Sequence, residues 1–284
     1  MKPLIWIFTL TFVFPATLFA EDAARVKREF FALCMDTHDE KQRSVEEQNT
    51  MLAELGFDGV AHLLLDKLEE RVASAETSGL NVTQVYFMVD ISKEPPFDQK
   101  LKDALPCLKG GRTQLALLIY GGSPSDESLD EKTVGIIREI VNIAEPNDVR
   151  VVLYPHVHAW LETVADCVRL AERFPDKNVG VMFNLCHWAA VDKSENLRKT
   201  LELAMLHLSC ITINGADTPE EVQTRSGFTG WIQPLDSGTF DQENLLSLLD
   251  ELEYTGPVGL QCYGIPGDVR IHLERSIKAW QDMQ

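Results

Sequence analysis

Histidine, tyrosine and amide side chains recur at the ends of short apolar segments in this sequence. The histidines at such positions are His38, His62, His156 and His187. One tyrosine and three amides occupy comparable positions: Tyr154, Asn184, Asn214 and Gln261. An imidazole can take up or release a proton near neutral pH, and a phenol or an amide can hydrogen-bond an oxygen on which negative charge develops. These residue types therefore indicate a polar pocket that could carry out acid–base chemistry.

The segments that carry these side chains alternate with amphipathic stretches along the chain. The apolar segments predict strands near residues 30–36, 58–64, 82–90, 113–120, 149–155, 178–184, 209–214 and 257–262. The stretches between them predict helices near residues 42–55, 66–78, 97–108, 128–144, 159–173, 194–207, 241–253 and 267–281. This alternation is typical of a parallel sheet, and eight strands are the number that closes such a sheet. The sequence predicts an α/β fold, a single (β/α)8 TIM barrel.

A barrel would bring the polar residues together. The carboxyl ends of all strands lie on one face of a (β/α)8 barrel, and active sites are built there. His156 follows Tyr154 by two residues, so both side chains face the interior if the strand continues past Pro155. We therefore expect a polar pocket at this face.

The net charge argues against a nucleic-acid partner, and the composition indicates a single domain. The 284 residues include 44 acidic and 26 basic side chains, which gives a formal net charge of -18. Binding to a phosphate backbone is unfavourable at this charge, so nucleic acid is not an expected partner. No Pro/Ser-rich linker or internal repeat interrupts the alternation, so one domain is predicted over residues 21–284.

Residues 1–20 have the pattern of a secretory signal peptide. Lys2 precedes an apolar run, and cleavage after Ala20 would leave the charged Glu21 at the new N-terminus. Leu18 stands where a small residue is preferred, so an uncleaved N-terminal anchor is the alternative. No other segment has the ~20 apolar residues that span a bilayer. The sequence predicts a periplasmic or secreted protein.

Six cysteines would permit disulfides in an exported protein. They form no close pairs and no metal-type CxxC spacing, and several lie in or at the ends of predicted strands. Buried free thiols are the expectation, and a structural disulfide is the alternative that spacing leaves open.

Five segments of the chain carry a resemblance to a known family. In order, they resemble blocks of the sugar phosphate isomerase/epimerase group of xylose isomerase-like barrels: "LAELGFDGVAHL", "VVLYPHVHAWLETVADCVRLAERF", "NVGVMFNLCHW", "ITINGAD" and "IQPLDSGTFDQENLLSLLDELEYTGPVGLQCYG". The resemblance implies a barrel that acts on a sugar. In that group the last four strands hold a divalent metal on a Glu, an Asp, a His or Asp, and a second Glu, and the two Glu also transfer the proton.

The sequence departs from the family pattern at every expected ligand. The alignment puts Tyr154 in place of the first Glu and Asn184 in place of the Asp, and it puts Asn214 and Gln261 at the remaining positions. A phenol and amides supply neutral oxygens, which hold a hard divalent cation far more weakly than carboxylates do. Asn and Gln cannot act as general bases. No cofactor is therefore predicted. Zinc bound by His156 and His187, with His62 or His38 as a third ligand, is the alternative.

The resemblance also suggests a role for each candidate residue. His156 and His187 are predicted to be catalytic, because imidazole can replace a lost carboxylate base and because His187 matches a family His that contacts substrate. Substrate contacts are predicted for Tyr154, Asn184, Asn214, Gln261, His62, His38, and for Gln233 and Asp236, which match a family loop after strand 7. For the histidines the alternative is a structural role, and for Gln233 and Asp236 it is ordinary turn chemistry.

Three functions fit these observations. The first is an exported sugar isomerase or epimerase that acts on a neutral sugar or keto-sugar. The second is a lyase or hydratase on an oxidised keto-glycoside, which forms the same enolate and expels a leaving group. The third is a sugar-binding barrel without catalysis.

Overall fold

The computed structural model describes residues 26–110, 112–175, 179–225, 227 and 230–284. The strands are β1 (Phe30–Leu33), β2 (Gly59–Leu63), β3 (Asn81–Asp90), β4 (Gln114–Tyr120), β5 (Arg150–Leu153), β6 (Val179–Asn184), β7 (Leu208–Ile213) and β8 (Val258–Gln261). Neighbouring strands pair in parallel and in chain order, and β1 pairs with β8. The sheet is thus a closed barrel, which confirms the predicted (β/α)8 fold. The signal peptide predicted for residues 1–20 lies outside the described residues.

Helices surround the barrel. They are α1 (Val45–Leu55), α2 (Leu68–Ser78), α3 (Leu101–Ala104), α4 (Asp130–Ala144), α5 (Val164–Ala171), α6 (Leu185–Val191), α7 (Leu197–Ala204), α8 (Pro219–Val222), α9 (Gln242–Glu251) and α10 (Val269–Asp282). Most pack an apolar face against the outside of the sheet. Among the described helices, none is both long enough and apolar enough to cross a membrane.

Side chains fill the inside of the barrel and leave no channel. Alternate residues of each strand point inward, as Val152 does on β5, and Tyr154 continues this alternation just after the strand. The inward-facing buried cluster consists of Phe31, Leu33, Ala61, Tyr86, Ala116, Val152, Tyr154, Met182 and Cys210. Tyr154 therefore forms the top layer of this interior, beneath the carboxyl ends of the strands.

The structure differs from the predicted elements after β5 and β6. The strand predicted over 149–155 ends at Leu153, and the helix predicted from residue 159 begins only at Val164. The intervening segment turns back, since the His156 amide donates to the carbonyl of Leu161. Helix α6 was not predicted. It begins directly at the end of β6 because the side chain of Asn184 caps its first turn.

A cluster of ion pairs joins the loop after the first strand to the loop after the last strand. Arg43, in the loop after β1, contacts Asp39 at 2.8 Å and Asp268, in the loop after β8, at 2.6 Å. These three residues, termed the seam cluster, are largely shielded from solvent. They hold together the loops that flank the pairing of β1 with β8.

All six cysteines are free thiols. Cys167, Cys186, Cys210 and Cys262 are buried, whereas Cys34 and Cys107 are partly exposed. The alternative of a structural disulfide is not realised in this structure.

Two glycines should respond in opposite ways to substitution by alanine, because one is closely packed in the barrel and the other lies on helix α4 with open space around it. A Cβ atom on Gly259 of β8 would lie 2.5 Å from the ring of Phe31, which is completely buried. Gly259→Ala should therefore lower the free energy of unfolding by about 1–3 kcal/mol, as overpacking does. A Cβ atom on Gly135 of α4 meets nothing within 4 Å. Gly135→Ala should stabilise by up to ~1 kcal/mol through helix propensity. Urea denaturation of both variants measures this contrast, and equal stability of Gly259→Ala and wild type would contradict it.

Candidate active site

A cavity of about 290 Å³ opens at the carboxyl ends of the strands. It is lined by Cys34, Leu63, Leu118, Tyr154, His156, His187, Ile232, Gln261 and Tyr263. Four of the predicted site residues are therefore brought together: Tyr154, His156, His187 and Gln261. A larger surface depression of about 620 Å³ lies between the β2–α2 loop and α3 and contains none of the predicted residues. The smaller cavity is the candidate site because the polar side chains converge there.

Asn184 positions two of the cavity residues. Its Oδ1 accepts a hydrogen bond from the backbone N–H of His187 at 3.2 Å and from the thiol of Cys186 at 3.0 Å. Its Nδ2 consequently faces the other way and donates to the hydroxyl of Tyr154 at 3.1 Å. Asn184 is fully buried and does not itself line the cavity.

Tyr154 and His187 form a buried hydrogen bond. The Tyr154 hydroxyl lies 2.9 Å from Nε2 of His187, and the other ring nitrogen, Nδ1, is buried without a partner. Burial raises the pKa of Tyr154 well above its ordinary value. Burial, together with nearby His156, lowers the pKa of His187 well below its ordinary value. Both groups are therefore neutral near pH 7, and Tyr154 is suited to donate a hydrogen bond rather than to act as a base.

His156 is the cavity residue best suited to accept a proton. Its Nδ1 lies 2.8 Å from the carbonyl oxygen of Val157, so Nδ1 carries the hydrogen and Nε2 carries a lone pair. Nε2 has no hydrogen-bond partner among the described residues. Burial lowers the pKa of His156 below its ordinary value, which keeps the ring neutral near pH 7. The His156 and His187 rings lie side by side, with centroids 3.9 Å apart.

Gln261 completes the polar part of the cavity. It ends β8, and its Oε1 accepts from the backbone N–H of Tyr263 at 3.1 Å. Its Nε2 is therefore directed away from that amide. The Gln261 side chain also neighbours the Tyr154 hydroxyl.

Asn214 and Gln233 brace the loop after β7 and do not line the cavity. Asn214 donates to the carbonyls of Gly215 and Trp231 at 2.8 and 2.7 Å. Gln233 donates to Asp217 at 3.1 Å, and its backbone pairs with Gly215. Both residues thus hold the loop that brings Ile232 to the cavity wall.

His62 belongs to a buried network under the α1–α2 side of the barrel. Its Nε2 lies 2.7 Å from the carbonyl of Asp66, and its Nδ1 accepts from Arg71 at 3.4 Å. Arg71 is itself buried and also donates to Asn49 and Gln48. With both ring nitrogens engaged, His62 is a structural histidine in this arrangement.

His38 and Asp236 lie at the surface. His38 is exposed at the rim, where its Nδ1 accepts from the backbone N–H of Gly264 at 3.2 Å and its ring packs edge-on against Tyr263. Asp236 forms an ion pair with Arg275 of α10 at 2.7 Å. Neither residue lines the cavity.

The donor set does not suit a metal ion. Within the described part of the chain, no three His, Cys, Asp or Glu side chains are grouped so that they could hold one. The third zinc ligand considered from the sequence is missing, since His62 uses both nitrogens and His38 lies on the rim. The neutral oxygens of Tyr154 and Gln261 do not compensate the charge of Mg²⁺ or Mn²⁺. No metal step is therefore derived for this site.

Several cavity residues could not be identified from polarity in the sequence. They are Cys34, Leu63, Leu118, Ile232 and Tyr263. Cys34, Leu63 and Tyr263 occupy strand ends, a position that could have identified them. Ile232 lies in an irregular loop, and no sequence signal distinguishes it.

A closed parallel barrel with a polar cavity at the carboxyl ends of its strands defines a protein of the TIM barrel class. The chain belongs to the xylose isomerase-like TIM barrel family, whose sequence model matches residues 50–279. The resemblance inferred from the sequence segments is thus confirmed. No curated protein matches the sequence.

Solved structures with the same fold include sugar epimerases and a dehydratase. The 3-keto-D-glucoside 4-epimerase of E. coli matches with a TM-score of 0.68 and 19% identity over 91% of this chain and 100% of its own. The probable 3-DHS dehydratase of Bacillus anthracis gives a TM-score of 0.70 and 13% identity over 89% and 98%. The D-psicose 3-epimerase of Clostridium cellulolyticum gives 0.65 and 15% over 90% and 98%. At these identities the likeness establishes the fold alone.

The buried histidines predict a loss of stability in mild acid. Burial lowers the pKa of His272 to about 4 and lowers the pKa values of His62, His156 and His187 below their ordinary 6.5. The unfolded chain binds protons below pH ~6.5 that the folded chain does not, so stability falls as the pH drops from about 6.5 toward 4. Thermal melting at pH 7 and pH 5 measures this.

Two variants test how much of this loss of stability in acid comes from His272. His272→Leu should reduce the fall in melting temperature, because a buried titrating group is removed. Leu206→Ser, at a position that is 93% exposed and carries no titrating group, should leave it unchanged. A melting temperature that is constant from pH 7 to pH 5 would contradict the assignment.

The donor chemistry predicts that the purified protein holds no stoichiometric Mg²⁺, Mn²⁺ or Zn²⁺. Neutral oxygens and two adjacent histidines bind these ions far more weakly than the ligand sets they prefer. Elemental analysis after dialysis, and melting curves with and without EDTA, test the expectation. One ion per chain, or a lower melting temperature in EDTA, would contradict it.

Proposed function

We propose that this protein is a sugar isomerase or epimerase-like enzyme that transfers a proton at a carbon next to a carbonyl and uses side chains instead of a metal ion. The observation that carries the proposal is His156, which lines a cavity with Tyr154 and Gln261 and whose Nδ1 is held by the Val157 carbonyl, so that Nε2 keeps its lone pair. We also propose that the protein is exported, on the pattern of residues 1–20.

The reaction begins with His156 as the general base. Its Nε2 takes the proton from the carbon beside the carbonyl, the electron pair of that C–H bond forms the C=C bond of the enolate, and the carbonyl π pair moves onto the oxygen. The hydroxyl proton on the neighbouring carbon then passes to this oxygen, and the imidazolium returns its proton to the former carbonyl carbon, so the carbonyl has moved by one position without net gain or loss of protons. A positioned base of this kind contributes roughly 10² to 10⁴ in rate.

Tyr154 and Gln261 are suited to stabilise the enolate oxygen. If Nε2 of His187 carries its hydrogen, the Tyr154 oxygen accepts from both His187 and Asn184, and its own hydrogen is free to donate to substrate. The Nε2 group of Gln261 is a second donor. Donors preorganised around a developing oxyanion stabilise the transition state more than the ground state.

The side-by-side arrangement of His156 and His187 favours transfer on one face of the substrate. Since both imidazoles lie on the same wall, the proton leaves and returns on the same side. This geometry suits isomerisation, in which the carbonyl moves along the sugar, better than epimerisation, which returns the proton on the opposite face. It equally suits elimination from a keto-glycoside, in which the protonated His156 passes the proton to the leaving oxygen. A lyase is therefore the second candidate function.

His156→Ala should lower turnover by roughly 10² to 10⁴, the range for a positioned base, and should leave the melting temperature nearly unchanged. The assay is deuterium incorporation from D₂O into a panel of neutral ketoses, aldoses and keto-glycosides, followed by mass spectrometry. A mass increase without a new product identifies exchange, a rearranged sugar identifies an isomerase, and a released aglycone identifies a lyase.

His207→Ala is the control, because His207 lies outside the cavity and is only half-buried. It should retain wild-type exchange. Tyr154→Phe should lower kcat more than it changes KM, since its hydroxyl acts in the transition state. Exchange that survives His156→Ala would remove His156 as the base, and a wild type without exchange on the whole panel would favour a binding protein.

A further inference from the structure

The two halves of the cavity wall differ in polarity. The polar lining side chains Tyr154, His156, His187 and Gln261 lie at the end of β8 and in the segments that follow β5 and β6, and Ile232, from the loop after β7, is the apolar residue among them. The facing half consists of Cys34, Leu63 and Leu118, from the ends of β1 and β2 and from β4. A sugar with hydroxyls on all sides would place some of them against this second half without partners. Each unpaired buried hydroxyl costs about 1–3 kcal/mol, so the ligand presents an apolar group there.

The cavity also selects for a neutral ligand. None of the nine lining side chains is Lys, Arg, Asp or Glu. A phosphate or a carboxylate inside would lose its hydration without gaining a counter-ion, which is a large penalty. The ligand is therefore uncharged.

The apolar half of the wall continues outward to the rim. Met88 of β3 lies opposite Leu118 in the β3–β4 register, so both side chains share the inner face of the barrel. Met88 is 52% exposed, and Tyr263, on the other side of the mouth, is 41% exposed while also lining the cavity. Leu118 and Met88 therefore form one apolar strip that runs from the cavity to its rim, and contiguous apolar surface that continues a cavity marks a site of ligand contact.

The volume of the cavity limits how much of the ligand can lie inside it. At about 290 Å³, the cavity is at the lower end of the range for small-molecule sites and suits one sugar ring. An apolar group attached to that ring would lie along Leu118 and extend past Met88 toward solvent.

From these observations we infer that the ligand is a neutral keto-glycoside with an apolar aglycone, whose sugar ring lies against the polar half of the cavity and whose aglycone leaves the cavity along Leu118 and Met88. The inference rests on the proposed function for the sugar and names the class of its substrate. It accounts for the apolar half of the wall, for the lack of charged lining residues and for the exposed rim.

Equilibrium binding tests the inference independently of catalysis. The probes are phenyl and methyl β-glycosides of glucose, galactose and mannose, measured by isothermal titration calorimetry. For the sugar that binds, the phenyl glycoside should bind at least tenfold more tightly than the methyl glycoside, because the ring removes apolar area from water. Met88→Ser should reduce this ratio severalfold.

Leu206→Ser is the matched control, since Leu206 is 93% exposed and lies outside the cavity and its rim. It should leave the ratio unchanged. Equal affinity for the two glycosides, a ratio unaffected by Met88→Ser, or no binding of any phenyl glycoside at millimolar concentration would each overturn the inference. Phenyl preference without proton exchange would refute the proposed catalysis and support the inference. Exchange on free sugars without phenyl preference would do the reverse.

Discussion

The hydrogen bonds of Asn184 determine the geometry on which the rest of the site depends. One amide group caps α6, fixes the backbone of His187 and holds the hydroxyl of Tyr154. Because Asn184 is completely buried, none of these bonds competes with water. Asn184, which the sequence alignment set at the position of a metal-binding Asp, thus organises neighbouring protein groups in the structure.

The cavity that results is lined by uncharged groups. Carboxylates around a metal ion work through full charges, whereas the groups around this cavity work through hydrogen-bond direction and proton affinity. Burial raises the pKa of Tyr154 and lowers the pKa values of His156 and His187, so all three side chains are neutral near pH 7. An uncharged cavity tolerates an apolar half, because no lining charge has to be solvated.

The barrel and its polar pocket could be predicted from the sequence, but which of the polar residues line the cavity and which only support the structure could not. Strand alternation placed Tyr154 correctly, since the period of two survives for one residue past the end of β5. His156 reaches the same cavity through a turn and not through the strand. His62 and Asn214 have the residue types and positions of ligand contacts, yet their bonds to Asp66 and Trp231 are made with backbone groups that no sequence pattern reveals. Helix α6 escaped prediction because it has only seven residues and depends on one cap.

The seam cluster has a consequence for how the chain reaches this structure. Arg43 and Asp268 are 225 residues apart in the sequence, and β1 has no second neighbour until β8 is available. Closure between distant segments is slow, because the chain loses entropy before the contacts form. Two walls of the cavity, at Cys34 and at Gln261, stand on either side of this junction. The cavity is therefore complete only once β8 has paired with β1, and a chain that is synthesised from its N-terminus cannot form this site before its last strand is available.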